Sequence, residues 1–372
     1  MKPLLVQEYL KAGGTYESLV TDHGVYATPY NGKVSFAYDQ ITAKTDDELA
    51  NQCRGLILRE GTWETVAVPF FRFFNDGQGC AAKIDWTSAR FEEKKDGSLI
   101  ICGFDDHAKR WFGATRQMCE AQGNVDGIGT FAALIDKAAQ EHGANDINDL
   151  MESRGADKQT TYCFELTSQY NRIVCHYDTT SLTLLGCRSL EYGNEFDPTA
   201  EAYRLSVKLP KIWEFNNITH LVEVMKDWHP KEYEGVVVKD KYFNRIKVKT
   251  PQYLAAHHAR DSLGVSWRAV CEAVAGGYSD DIYSLVPDYI QKRIDIVKSC
   301  LAIIIAETEK DYSEIKDIDN MKEYAFAANI KLWPSALFAL KRKKSNSLAE
   351  FIQKANPNMI LSLVNSLNPD VK

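Results

Sequence analysis

The pattern of apolar residues changes near Pro251, and this change constrains the fold of the 372-residue chain more than any other feature. Before Pro251, short apolar or alternating runs bounded by turn residues are typical of β-strands. After it, apolar residues recur at helical spacing, most clearly from residue 289 to residue 304, with Pro287 near the start of that stripe. We therefore expect an α+β domain over residues 1–254 and an all-helical domain over residues 255–372.

The strand-like runs of the first domain are short and well separated. They occupy residues 53–58, 91–102, 161–166, 182–186, 235–238 and 245–249, and the second run is split by a turn at Asp96-Gly97. The last run alternates strictly, which predicts Arg245, Lys247 and Lys249 on one face of a strand. One helical island, at residues 129–143, interrupts the strands.

Charge and cysteine content narrow the function classes. A net charge of −7 argues against a strongly cationic coat for nucleic acid, although a local basic groove remains compatible with it. The nine cysteines show neither a CxxC pair nor matching histidine spacing, so we expect reduced thiols in a cytoplasmic protein and no zinc site. No apolar run approaches the roughly 20 residues of a membrane span, and we expect neither a signal peptide nor a membrane partner.

Residues 93–98 read Glu-Lys-Lys-Asp-Gly-Ser and contain a candidate nucleophile. On a strand, Lys94 and Asp96 face the same way, while Gly97 permits a tight turn and the close approach of a ligand. A lysine becomes nucleophilic when desolvation and neighbouring cations lower its pKa. Taken alone, the motif is short, and a charged surface hairpin is its commoner explanation.

Two carboxylates and two lysines beside predicted strands are candidate ligand groups. Glu165 is flanked by apolar residues, and Glu234 precedes a valine run. A buried carboxylate needs a partner, which a ribose hydroxyl, a magnesium ion or a structural arginine would provide. Lys247 and Lys249 are suited to neutralising phosphate as point charges, or they line a solvated strand face.

The order of these motifs resembles that of the covalent nucleotidyltransferases, the superfamily of ATP-dependent DNA and RNA ligases and mRNA capping enzymes. The motifs are KxDG at Lys94, an isolated strand glutamate at Glu165, Glu-Gly at Glu234, and KxK at Lys247 and Lys249. The resemblance implies that the first domain is a nucleotidyltransferase domain built from antiparallel sheets.

Within that superfamily the sequence is most similar to the ATP-dependent RNA ligase 1 family of T-even bacteriophages. Further matches to that family lie at residues 53–55, 73–75, 98–99 and 171–174. DNA ligases and capping enzymes typically have arginine where this chain has Leu99, and an OB-fold where it has a helical tail. Two positions depart from the family: Arg72 stands where a lysine is usual, and Arg116 matches a basic position only loosely.

The resemblance implies a three-step reaction. Lys94 attacks the α-phosphorus of ATP and releases pyrophosphate, the AMP passes to an RNA 5′-phosphate, and an RNA 3′-hydroxyl then displaces AMP. Lys247 and Lys249 would neutralise the phosphates and help keep Lys94 deprotonated. Glu234 would position Mg²⁺, with Mn²⁺ as a substitute, and Glu165 would hold the ribose.

The resemblance also implies further ATP-binding roles. Arg54 and Arg72 would grip the polyphosphate or the RNA 5′-phosphate, with Arg116 as a weaker candidate. Phe74 would contact the nucleoside, and the backbone near Glu93 would read the adenine edge. In the tail, Ser279-Asp280-Asp281 is either a cation site formed by Asp280 and Asp281 or, more simply, the capped acidic first turn of a helix.

Single-stranded or nicked-loop RNA, including cleaved tRNA, is the partner that the resemblance implies, together with an end-healing kinase/phosphatase. The helical domain would then select the RNA, and a phage-encoded protein would act in the host cytoplasm. A DNA ligase or a capping guanylyltransferase is the alternative enzyme. A non-catalytic RNA-binding protein that keeps the fold is the alternative of another class, and the retained Lys94 argues against it, because binding alone needs no nucleophile.

Overall fold

The computed structural model describes residues 4–39, 42–191, 193–254, 257, 264, 266–277, 279, 283, 286–345 and 348–371. The chain divides into two compact units, Met1–Tyr253 and Leu254–Lys372. Within the described residues, the first unit holds the β-strands and the second consists of helices and their connections. The predicted fold class, α+β with antiparallel sheets followed by helices, is confirmed.

The strands of the first unit form three larger sheets and one two-stranded ribbon, all antiparallel within the named strands. The first sheet has the order β1 (Val25–Tyr30), β2 (Lys33–Tyr38), β3 (Arg54–Arg59), β4 (Thr65–Ala67). The second has the order β12 (Glu195–Phe196), β11 (Ser181–Ser189), β10 (Thr160–Thr167), β6 (Ser98–Asp105), β7 (Arg110–Ala114). The third has the order β13 (Ile212–Trp213), β5 (Arg90–Lys94), β14 (Gly235–Lys239), β15 (Arg245–Lys249). The ribbon pairs β8 (Asn124–Val125) with β9 (Gly129–Thr130).

The strands β5 and β6 follow one another in the chain but belong to different sheets. The connection between them is the Lys95-Asp96-Gly97 segment, so the KxDG motif crosses from the third sheet to the second rather than closing a hairpin. Gly97 passes so close to β10 that a Cβ atom built on it would lie 2.2 Å from the carbonyl oxygen of Leu166. Glycine is therefore required by the close approach of two backbones.

The helices of the first unit pack against these sheets. They are α1 (Leu5–Lys11), α2 (Tyr16–His23), α3 (Glu48–Gln52), α4 (Phe131–Glu141), α5 (Ile147–Ser153), a 3₁₀ turn (Gln169–Asn171), α6 (Thr199–Leu205) and α7 (Ile218–Met225). The helical island predicted at residues 129–143 is α4, and the Thr130 side chain caps it by accepting a hydrogen bond from the Ala133 N–H. Leu134 and Ile135 of α4 are buried in the same core as Ile100 of β6.

The second unit has its own apolar core. The helices whose bounds lie within the described part of this unit are α8 (Trp267–Ala275), α9 (Asp288–Ile315), α10 (Met321–Asn329), α11 (Pro334–Lys341), α12 (Leu348–Lys354) and α13 (Pro357–Leu367). The predicted stripe lies on α9, where Ile290, Ile294 and Val297 are buried, but its first member, Tyr289, is 50% exposed. Val364 of α13 joins this core. Among the described helices, none has the length and apolar content that crossing a membrane requires.

Candidate active site

A pocket of about 700 Å³ lies between the third sheet and strands β10 and β11 of the second. The KxDG crossing brings these two sheets together at this point. Among the residues predicted from the sequence, those lining the pocket are Arg54, Glu93, Lys94, Glu165, Lys247 and Lys249. Arg245, predicted on the same strand face as Lys247 and Lys249, lines it as well.

Glu234 joins two of the predicted lysines although it is almost fully buried. Its Oε2 accepts a hydrogen bond from the Lys94 Nζ at 2.6 Å, and its Oε1 lies 2.8 Å from the Lys249 Nζ. The strand register explains this arrangement, because Gly235 is paired with Lys94 on β5 and with Lys249 on β15. A Cβ at Gly235 would lie 2.1 Å from the carbonyl oxygen of Val248, so glycine lets the strands approach closely enough.

The pKa of Lys94 is raised, which is opposite to the expectation from the sequence. Burial lowers this pKa, but the negative charges of Glu234 and Glu165 outweigh burial. The expectation that Lys247 and Lys249 keep the amine deprotonated is therefore wrong in this geometry, because Glu234 hydrogen-bonds to Lys94 directly. Burial acts against ionisation of Glu234, yet Lys94 and Lys249 hold its pKa below the ordinary value.

Lys247 and Glu165 both titrate near neutral pH. Burial lowers the pKa of Lys247 to about 7, and the positive charges of Arg54 and Lys94 act in the same direction. Burial raises the pKa of Glu165 to about 7, while Lys94 opposes this shift. Perturbed groups that share one pocket are typical of functional sites, and a phosphate placed here would favour the charged form of Lys247.

Arg54, the first residue of β3, brings an unsatisfied guanidinium to the pocket. Its guanidinium carbon lies 5.2 Å from the ring centre of Phe73 and 5.9 Å from that of Phe70. Its Nη1 atom is buried and has no hydrogen-bond partner among the residues that the structure describes. Burial also lowers the pKa of Arg54. A buried donor without an acceptor costs about 1–3 kcal/mol, and a phosphate oxygen would satisfy it.

Asp96, the acidic residue of KxDG, anchors the crossing rather than entering the pocket. One of its oxygens, Oδ2, accepts hydrogen bonds from the backbone N–H groups of Val174 and Cys175 at 2.8 and 2.7 Å. The other, Oδ1, accepts one from the Tyr253 hydroxyl at 2.7 Å. Tyr253 follows the KxK strand by four residues, and sequence reasoning missed it, because an aromatic residue after a strand carries no distinguishing signal.

Arg72 and Arg116 meet at a tyrosine outside the pocket wall. The guanidinium carbon of Arg72 lies 4.4 Å from the ring centre of Tyr38, and that of Arg116 lies 5.3 Å from it. Tyr38 raises the pKa of Arg54 and Arg116 lowers it, so the charges of this cluster act on a residue that lines the pocket. Sequence reasoning missed Tyr38, the last residue of β2, since only the pairing of β2 with β3 brings it near.

Phe73, and not the predicted Phe74, is the member of this aromatic pair that lines the pocket. The Lys247 Nζ lies 4.6 Å from the ring centre of Phe73. The Phe74 ring lies 5.2 Å from the Arg72 guanidinium, and its carbonyl oxygen accepts a hydrogen bond from the Lys247 N–H at 3.0 Å. This backbone pairing with the edge of β15 determines which ring faces inward.

The backbone N–H of Glu93, near the position predicted to read adenine, is already engaged. It donates to the carbonyl oxygen of Lys211 at 2.7 Å, and the Glu93 carboxylate pairs with Lys95 at 2.9 Å. Adenine recognition by this N–H would therefore require displacing an existing hydrogen bond.

The carboxylates of the pocket fit a divalent cation that takes most of its ligands from phosphate. Glu165 and Glu234 both raise the pKa of Lys94, so both lie near the same amine. Within the described residues, no group of three or more histidines, cysteines, aspartates and glutamates is arranged to hold a metal. Magnesium commonly uses one or two carboxylates together with substrate phosphates, which agrees with this donor set. The predicted Asp280 and Asp281 lie outside the described residues.

Comparison with known proteins supports a relation to RNA ligases. A protein of Autographa californica nuclear polyhedrosis virus, named as a bifunctional polynucleotide kinase/RNA ligase, is 30% identical over 262 residues, covering 67% of this chain and 37% of that protein. An RNA ligase of Rhodothermus phage RM378 is 23% identical over 273 residues, covering 57% of this chain and 61% of the relative. The chain thus spans less than two thirds of the length of each of these relatives.

The solved structure of an archaeal ATP-dependent RNA ligase is also similar, with 11% sequence identity. The match covers 93% of this chain and 77% of that chain, and its TM-score of 0.45 is too low to support an argument. The family model described as RNA ligase matches residues 52–253. That range includes every residue of the pocket and more than half of the sequence. The chain therefore belongs to this RNA ligase family.

Proposed function

We propose that this chain is an ATP-dependent RNA ligase that joins RNA 5′-phosphate and 3′-hydroxyl ends through a lysine–AMP intermediate on Lys94. One observation carries the proposal: the Lys94 amine is paired with Glu234 and lies in a pocket whose other cationic lining residues include Arg54, Lys247 and Lys249. Phosphoryl transfer depends mainly on positioning and on neutralising phosphate charge, and this set of side chains suits both tasks.

In the first step, the deprotonated Lys94 amine forms a bond to the α-phosphorus, and the bond from that phosphorus to the bridging oxygen of pyrophosphate breaks. Because Glu234 raises the pKa of Lys94, the amine is protonated near neutral pH, and the ammonium must first release its proton to solvent water. Mg²⁺ or Mn²⁺, held by phosphate oxygens with Glu234 or Glu165, would supply positive charge that weakens the hold of Glu234 on the ammonium. Lys247 and Arg54 would contact the phosphates.

In the second step, an oxygen of the RNA 5′-phosphate attacks the phosphorus of the lysine-bound AMP, and the lysine nitrogen leaves and takes up a proton. In the third, the RNA 3′-hydroxyl attacks the adenylylated 5′-phosphate, loses its proton, and AMP leaves. Arg72 and Arg116, with Tyr38 between them, form a second cationic group suited to a leaving pyrophosphate or an entering RNA phosphate.

We further propose that the natural substrates are broken RNA strands, with cleaved tRNA loops among them, and that the helical unit helps select them. The relative from Autographa californica nuclear polyhedrosis virus is named for both a kinase and a ligase, which supports ends prepared by a polynucleotide kinase. The nine cysteines all fall within the described ranges and are unpaired, which supports a cytoplasmic location, in the host if the chain is phage-encoded.

The test is incubation of the protein with α-labelled ATP, Mg²⁺ and a 5′-phosphorylated single strand, supplied as RNA and as DNA in parallel. We expect acid-labile labelling of the protein, then of the RNA end, and finally a sealed RNA. Labelling by GTP instead of ATP would indicate a capping enzyme, and preferential sealing of DNA would indicate a DNA ligase. A protein that binds RNA but takes no label would be a non-catalytic member of the family.

A further inference from the structure

A second cleft, of about 1000 Å³, adjoins the active-site pocket. Phe70, Phe73 and Arg245 line both cavities. Beyond this shared wall, the cleft is lined by further aromatic and cationic side chains, chiefly Phe71, Phe74, Arg72, Arg188 and Tyr242. Its charged lining residues are three arginines and one glutamate, so it is cationic overall.

The arginines of the cleft are held against aromatic rings. The Arg188 guanidinium lies 3.9 Å from the ring centre of Phe71, and its Nε and Nη1 atoms donate to the carbonyl oxygens of Gly193 and Pro69, each at 2.9 Å. Arg245 lies 4.6 Å from the ring centre of Phe70. These planar groups are therefore oriented in advance, which lowers the entropy cost of binding another flat group.

Tyr242 has an exposed ring on a turn that is held by hydrogen bonds. Tyr242 is 66% exposed and lies in the turn between β14 and β15, and β15 is the strand that carries Lys247 and Lys249. Asp240 holds this turn by accepting hydrogen bonds from the backbone N–H groups of Tyr242 and Asn244 at 2.9 and 3.0 Å. A large ring that folding leaves exposed on a fixed support is suited to stacking with a ligand.

We propose that this cleft binds an unpaired nucleotide of the RNA strand that carries the 5′-phosphate, with its base stacked on Tyr242 and its backbone phosphates facing Arg72 and Arg188. Aromatic rings combined with arginines along a groove are how proteins hold single-stranded nucleic acid, and stacking tolerates any base. Because the cleft adjoins the pocket along Phe70, Phe73 and Arg245, a strand held there would have its 5′ end near the pocket that contains Lys94. This inference rests on the proposed ligase function and adds the location of its RNA.

The test compares Tyr242→Ala and Tyr242→Phe in the full chain, with Tyr203→Ala as the matched control, because Tyr203 is a 90% exposed tyrosine of the same unit. Two reactions are measured separately: formation of lysine–AMP from ATP, and transfer of AMP to a 5′-phosphorylated RNA. For Tyr242→Ala we expect an unchanged KM for ATP and a KM for RNA raised about tenfold or more, since stacking contributes at that scale. Tyr242→Phe should restore the RNA KM.

A substrate change provides the second arm. Three RNAs are compared, with a single abasic site at the first, second or third nucleotide. For the RNA that lacks the base stacked on Tyr242, the wild-type and Tyr242→Ala proteins should have equal KM values. A 2-aminopurine at that same position should be quenched by the wild-type protein and not by the variant.

Equal RNA KM values for Tyr242→Ala and wild type would overturn the inference, and so would a raised KM for ATP, which would assign the cleft to the nucleotide cofactor. If the wild-type protein forms no lysine–AMP at all, the proposed function fails instead, so the two failures are distinguishable.

Discussion

The Nζ atom of Lys94 lies 2.6 Å from Oε2 of Glu234, so the proposed nucleophile is one half of an ion pair whose carboxylate is only 3% exposed. An ammonium has no free electron pair, and activation must therefore begin by weakening this pair. The pocket combines a raised pKa for Lys94 with pKa values of about 7 for Lys247 and Glu165, so its net charge depends on pH close to neutrality.

Replacing the nucleophile should separate the steps. Lys94→Ala is expected to abolish labelling by α-labelled ATP, because no other amine replaces the one that forms the bond to phosphorus. The variant should still seal an RNA that already carries the adenylate, since only the first two steps use the amine. Lys158→Ala is the control, because Lys158 is a half-exposed surface lysine paired with Glu152. Persistent labelling of the Lys94 variant would refute the assignment.

Removing the charge of Glu234 should make the amine easier to deprotonate. In Glu234→Gln, the attraction that raises the pKa of Lys94 is lost, so the acid limb of the adenylylation rate should move to lower pH. The measurement is the rate of lysine–AMP formation between about pH 6 and 10. The matched control is Glu223→Gln, which removes a carboxylate from an exposed lysine pair. An acid limb at the same pH in wild type and Glu234→Gln would contradict the ion-pair interpretation.

Replacing Glu165 should reveal the cost of its charge. Folding raises the pKa of Glu165 from its ordinary value to about 7. Between these two pKa values, Glu165 is ionised in the unfolded chain but neutral in the folded protein. The unfolding free energy of the wild type therefore falls as the pH rises from the ordinary pKa to about 7. Glu165→Gln avoids that loss. The variant's gain in unfolding free energy over wild type should be larger at pH 8 than at pH 4.5, by about 2 kcal/mol.

Urea denaturation of both proteins at the two pH values measures this difference. A gain that is equal at pH 4.5 and pH 8 would show that Glu165 is not disfavoured as a charged group in the folded protein.

Asp96 should act through the backbone that it holds. Asp96→Ala leaves the N–H groups of Val174 and Cys175 without their acceptor, and we expect a loss of about 2–4 kcal/mol in unfolding free energy together with slower adenylylation. Tyr253→Phe removes one hydrogen bond to Asp96 and should cost about 1 kcal/mol.

Tyr9→Phe serves as the control for the Tyr253 variant, because the Tyr9 hydroxyl donates its hydrogen bond to Ser18 and not to Asp96. Urea denaturation and the labelling assay are the two measurements. Wild-type stability in Asp96→Ala would show that the carboxylate does not anchor the crossing.

The local sequence pattern predicts the strands of the site, because strict alternation and valine runs reflect which side chains of a strand are buried. Residues 245–249 coincide with β15, and the three basic side chains of that strand do line one pocket. Pattern cannot report which strands pair. The turn at Asp96-Gly97 looks like a hairpin, yet it connects two sheets, because pairing depends on segments more than 60 residues away, such as β10.

Two further features of the site cannot be inferred from local pattern for the same reason. Phe73 and Phe74 are equivalent in sequence, and only the pairing of the Phe74 carbonyl with Lys247 decides which ring faces the pocket. Likewise, the pKa of Lys94 cannot be inferred from the number of nearby cations, because one carboxylate at hydrogen-bond distance outweighs them.

Glu234, which joins Lys94 to Lys249, acts as a built-in counter-ion. Without Glu234, the ammonium groups of Lys94 and Lys249 would repel each other in the empty groove. A bound nucleotide would then have to supply the negative charge that holds them side by side. Here the repulsion is already offset when the protein folds, so under the proposed function a triphosphate would replace the carboxylate as the counter-ion of a cationic site that already exists. If the pocket binds a triphosphate as proposed, we expect anions of lower charge to bind it weakly, because they compete poorly with the internal carboxylate.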